Sequence, residues 1–145
     1  MAEKISLALG GGAARGFVHV GAYRYLLEEG CEIGEIAGTS MGAIMAAFIA
    51  MGKTPEEMEA FAKSVNYFKL LDPDFSLGLI KGEKIETLFR EVFGNADIRD
   101  AKIRLRIAAT NLDKGTLRIF SSGDLVDALR ASMAIPGIFA PKIID

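Results

Sequence analysis

An α/β layered fold with a largely parallel sheet is predicted by three features of this 145-residue sequence. Short apolar runs of strand length alternate with longer runs of helical spacing. Glycine or Gly-Ser turns stand at the first two strand-to-helix junctions, and no internal repeat, low-complexity tract or linker interrupts the alternation. The length suits one domain over residues 1–145, large enough to bury roughly two-thirds of its unfolded surface.

The first element, "KISLALGG", reads as a short buried strand ending in glycine. In "AARGFVHVGAYRYLLEEG", Phe17, Val20, Tyr23 and Leu27 recur at helical spacing until Gly30 stops the run. "EIGEIAGTS" is a second strand, and "MGAIMAAFIAMG" a helix apolar on every side, hence buried. Thr54, Pro55 and Glu57 form a capping-box start for a helix striped by Met58, Phe61, Ala62 and Val65. "DPDFSLGLIKG" reads as a loop, and the next helix, Glu83 to Phe93, ends at Gly94 as one closed by a left-handed glycine does. Ile103, Leu105 and Ile107 alternate with Arg104 and Arg106 in the first of two strands around a Lys114-Gly115 turn. Asp124 to Ser132 is a last helix, and "AIPGIFAP" a loop punctuated by Pro and Gly.

Composition narrows the function classes. The net charge is −2 and the basic residues are scattered, so nothing suggests a nucleic-acid footprint. Cys31 is the one cysteine, which excludes an internal disulfide and favours a reducing compartment. The N-terminus carries no secretory pattern, and the longest apolar stretch, Met41 to Met51, falls short of the about 20 residues that span a bilayer. The expectation is a cytoplasmic protein. Half of its residues are hydrophobic, which leaves room for an apolar cleft or a transient contact with a membrane surface.

The chemistry is concentrated in two turns. "GTSMG" places Ser40 between Gly38 and Gly42, a spacing that suits a sharp strand-to-helix turn exposing the hydroxyl; the alternative is a simple helix cap. "GGGAARG", Gly10 to Gly16, joins the first strand to the first helix, where amides can converge on an anion or a developing oxyanion. A dinucleotide site fits less well: Arg15 stands where the third glycine belongs, and the second strand ends in Gly-Thr-Ser rather than in an acid, although Glu32 and Glu35 lie near the right distance. Both turns fall at strand C-terminal ends and can share one crevice, which brings together the nucleophile and the donors that acyl transfer requires.

"GGGAARGFVHVG", "GTSMG" and "ASMAIPGIFAP" resemble, in order, three signature blocks of the patatin-like phospholipases. The resemblance implies a three-layer α/β/α domain that hydrolyses acyl esters of lipids through a Ser–Asp dyad, with neither metal nor other cofactor. It implies Ser40 as nucleophile, Gly38 and Gly42 as its elbow, and Gly11, Gly12 and the amide of Ala13 as the oxyanion loop, supported by Gly10, Arg15 and Gly16. Most relatives have glycine in place of Ala13. The dyad aspartate of such proteins follows the "AIPGIFAP" block in an Asp-Gly-Gly or Asp-Gly-Ala motif, whereas this sequence ends at Asp145 without one. The expectation is therefore a domain truncated at its C-terminal end, weakly active or inactive alone, with an exposed sheet edge that favours self-association.

The remaining ionisable residues have plainer readings. His19, the one histidine, precedes Ser40 and lies in a helix, which suits a packed or capping role better than a Ser-His-Asp triad. Asp72 and Asp74 flank Pro73 in a turn, Asp97 and Asp100 bracket a surface stretch, Asp113 starts the hairpin turn, and Asp124 and Asp127 suit a helix N-terminus. Cys31 has no basic cluster beside it, and Met133 is a candidate for lining an acyl pocket. Two readings stay open beside the hydrolase: a non-catalytic lipid-binding or interaction module that retains the cleft, and a nucleotide-binding Rossmann-like domain.

Overall fold

The computed structural model describes residues 4–70, 72–74 and 79–144. Strands β1 (Lys4–Leu9), β2 (Glu32–Thr39), β5 (Arg104–Asn111) and β6 (Thr116–Phe120) form one sheet in the order β1-β2-β5-β6. The first two pairings are parallel and the last is antiparallel, closed by a turn in which Gly115 takes φ 61°. Two-residue strands β3 (Pro73–Asp74) and β4 (Leu79–Ile80) pair within the segment read as a loop. The helices are α1 (Val18–Glu28), α2 (Met41–Ala50), α3 (Pro55–Ser64), α4 (Glu83–Phe93) and α5 (Leu125–Met133). This is the α/β fold with a mostly parallel sheet that the alternation predicts.

Helix α2 is buried from Gly42 to Ala50 and lies across β1, β2 and β5, as an all-apolar helix must. Its Met45 and Ile49 meet Ile36, Ile107, Leu125 and Leu129 in one core, each large side chain stabilising the fold by about 1.5–3 kcal/mol. The opposite pleat is polar: Arg106 donates to Glu35 at 2.8 Å and, ahead of its smaller effects, this bond holds the Glu35 carboxyl below its usual range. The Thr54–Glu57 capping box is formed in both directions, at 2.8 and 3.2 Å, so the predicted start of α3 is set by those two side chains.

Three expectations need correction. Strand β1 alternates between exposed and half-buried residues because, among the described strands, it is an edge that pairs with β2 alone. The first helix begins with a 3₁₀ turn, Ala13–Phe17, and its buried stripe is Val20 and Tyr23, while Leu27 is exposed. Gly94 has the positive φ expected, 60°, but its ψ of −136° lies outside the left-handed helical region.

Candidate active site

Ser40 is the single residue between β2 and α2, with φ 53° and ψ −127°, a positive φ uncommon outside glycine. Its carbonyl accepts from the amides of Ala43 and Ile44 at 2.9 and 3.2 Å, so it occupies the helix-cap position. Its hydroxyl, however, makes no capping hydrogen bond. The Ser40 backbone therefore caps α2 while its side chain takes no part in the cap.

The flanking glycines are fixed by close approach. A Cβ on Gly38 would collide with the backbone of Gly42 and Ala43, and one on Gly42 would collide with the carbonyls of Leu9 and Gly10. The Gly38–Gly42 turn thus packs directly on the end of β1, bringing the glycine loop to Ser40. A Cβ at Gly11 would lie 3.2 Å from the Ser40 Cβ and 3.8 Å from its Oγ. A Cβ on Gly16 would strike the Met41 side chain, so this glycine lets the 3₁₀ turn close on α2.

The loop leaves its donors open. Among the described residues the amides of Gly11 and Gly12 have no hydrogen-bond partner, and the amide of Arg15 closes the turn on the Gly12 carbonyl at 3.1 Å. Arg15 and Ala13 are exposed, and Ala13 holds φ 49°, a conformation suited to glycine. The His19 imidazole donates through Nε2 to the Gly10 carbonyl at 2.9 Å, which ties it to the glycine loop.

Beside this loop lies an apolar cavity of about 310 Å³ that includes Ser40, Ala13 and Phe17 in its lining. Phe61 of α3, Val65 just past its end, and Ile85 and Phe89 of α4 line it, and Met133 closes it from the end of α5. A second, larger groove of about 720 Å³ runs along Thr39, Ala108, Thr110 and Ser132.

Two residues that organise this region were not read from the sequence. Ser132 accepts from the Ser40 amide at 2.7 Å and donates to the Ala108 carbonyl at 2.7 Å. Arg130 is 3% exposed, donates to the carbonyls of Lys81 and Ala140, and lies 5.6 Å over the Phe139 ring, tying two loops that border the cavity. Burial pushes its guanidinium pKa down. The signal for Ser132 was its place in the "ASMAIP" block; its partner is 92 residues away.

The aspartates have structural partners. Asp72 is pushed up by partial burial but more strongly down by hydrogen bonds from the amides of Gly82 and Lys84, so it is anchored at the start of α4. Asp97 caps a short 3₁₀ turn with Asp100 and pairs with Arg99, which draws its pKa well below the usual range. Asp124 caps α5 and takes a two-pronged bond from Arg90 at 2.7 and 2.8 Å. Among the described residues no carboxylate hydrogen-bonds the Ser40 hydroxyl, and no group of His, Cys, Asp and Glu could hold a metal. Asp145 lies outside the described residues, as does the Asp74 side chain. Cys31 is a free, half-buried thiol at the start of β2.

No described helix is long and apolar enough to cross a membrane. The chain is 40% identical over 146 residues to an NTE family protein of Mycobacterium tuberculosis, itself uncharacterized, covering 98% of this chain and 40% of that protein. It is 34% identical over 161 residues to an uncharacterized Bacillus subtilis protein, covering 90% of this chain and 55% of the relative. It therefore spans between two-fifths and just over half of these relatives. In fold it matches the crystal structure of VipD from Legionella pneumophila with TM-score 0.78 at 14% identity, over 96% of this chain and 43% of that one. ExoU from the type III secretion system of Pseudomonas aeruginosa, solved with SpcU, gives TM-score 0.71 at 20% identity, over 94% and 39%. The profile of the family described as "Patatin-like phospholipase" matches residues 7–145, and by that match the chain belongs to the patatin-like phospholipase family.

Proposed function

We propose that this chain carries the nucleophile of a serine lipid acyl hydrolase, of phospholipase A or related esterase type. Ser40 Oγ attacks the ester carbonyl, the alcohol leaves, and water then releases the fatty acid from the acyl-enzyme. The amides of Gly11, Gly12 and Ala13 receive the oxyanion, and the acyl chain occupies the apolar cavity. The observation that carries this reading is Ser40, whose hydroxyl is unspent as a helix cap and which lines an apolar cavity beside unpartnered loop amides.

The base is an aspartate by family resemblance, with His19 engaged on Gly10. A lipid-binding module that keeps the cleft is the rival, since the apolar cavity alone would serve it equally well. Turnover of a short acyl ester decides between them. In the full-length protein Ser40→Ala should lower it by at least roughly 10³-fold with the fold intact; equal turnover by the variant refutes the hydrolase.

A further inference from the structure

We propose that Ser132 is a positioning residue that locks the Ser40 backbone in its attacking conformation. The inference rests on the hydrolase reading and adds a residue to it. A non-glycine residue at φ 53° persists only where its surroundings over-determine it. Two of the restraints on Ser40 are local: the start of α2, through the Ala43 and Ile44 amides, and the packing of Gly38 against Gly42. The third comes from the other end of the chain, where the Ser40 amide donates to Ser132 Oγ at 2.7 Å.

The direction of that bond is fixed by its neighbour. Ser132 gives its one proton to the Ala108 carbonyl at 2.7 Å, so only its lone pairs face the Ser40 amide. Ala108 is the register partner of Thr39 on the adjacent strand. The Ser132 hydroxyl thereby continues the β2–β5 ladder one step past its last paired residue, at the peptide whose rotation would swing Ser40 Oγ away from the Gly11–Gly12 loop. With its proton committed, Ser132 is not itself a nucleophile. A side chain used merely to dock α5 on β5 would need no bond to Ser40.

The test is the rate at which a fluorophosphonate labels Ser40, resolved into probe affinity and the maximal rate of bond formation, with thermal unfolding measured beside it. Ser132→Ala should keep probe affinity and slow bond formation by roughly 10- to 100-fold, the scale expected for a displaced attacking atom. Ser132→Thr, which keeps the hydroxyl, should recover most of the rate. Should the alanine variant fail to fold, Ser132→Cys leaves no cavity while weakening both bonds, and slow labelling is again expected. A folded Ser132→Ala or Ser132→Cys protein that labels at the original rate overturns the inference and leaves the hydrolase reading standing. Failure of the unmutated protein to label overturns both.

Discussion

Gly42 lies directly against the carbonyls of Leu9 and Gly10, so the Ser40 turn and the glycine loop are packed backbone to backbone. No side chain can be inserted there without moving β1 or α2. Gly42→Ala should therefore destabilise the protein by about 2–3 kcal/mol, the upper range for overpacking against backbone that cannot yield. Chemical denaturation measures it. A loss under about 0.5 kcal/mol, typical of a neutral surface substitution, would contradict the packing.

Ala13 tests the loop from the opposite direction. At φ 49° an alanine costs roughly 1–2 kcal/mol relative to the right-handed region, while glycine loses up to about 1 kcal/mol through unfolded-chain entropy. Ala13→Gly should be neutral or stabilising by up to about 1 kcal/mol, and Ala13→Val destabilising, since a β-branched residue at positive φ is a true outlier. Melting temperatures of the pair give the ordering, and a more stable valine variant would show that the turn is built differently.

The cavity predicts a chain-length dependence. If it holds the acyl chain, kcat/KM should rise about 4-fold per added methylene, from about 0.8 kcal/mol per buried CH₂, until the cavity is full. Val65→Phe, which fills the wall just past the end of α3, should cut turnover of long-chain esters while sparing the shortest ones. Equal losses across all lengths would place the acyl chain elsewhere.

Acid stability should depend on Glu59. Bonds from Lys63 at 2.6 Å and Arg24 at 2.9 Å, with Lys63 the larger effect, lower its pKa from 4.5 to about 2. A folded-state pKa below the unfolded one contributes stability that is fully present above pH 4.5 and lost as the pH falls through about 2. The pair is exposed, so the effect is small and screened by salt. Melting curves of the original protein and Glu59→Gln should converge across that window, and a gap that widens on acidification would reverse the assignment.

What the sequence made legible was local. The Thr54–Glu57 box, the Asp124 cap and the Gly115 turn are each set by residues within about one helical turn, and all are formed. Ser40 and the glycine loop were legible because each needs small residues at fixed spacing. Ser132 was marked only by its place in the "ASMAIP" block, and its partner, 92 residues away, was not legible at all. The exposure of β1 follows from its position at an edge, a property of strand order rather than of the run "KISLAL". Arg130, buried on the carbonyls of Lys81 and Ala140, breaks the rule that an Arg in a helix faces water.

The central claim is that Ser40 is a nucleophile rather than a structural cap. Mass spectrometry of the protein after exposure to a fluorophosphonate, with peptide mapping, tests it most directly. The account predicts a single covalent adduct on Ser40, absent from Ser40→Ala and from heat-unfolded protein. An unmodified Ser40, or an adduct that persists in the alanine variant, would contradict it.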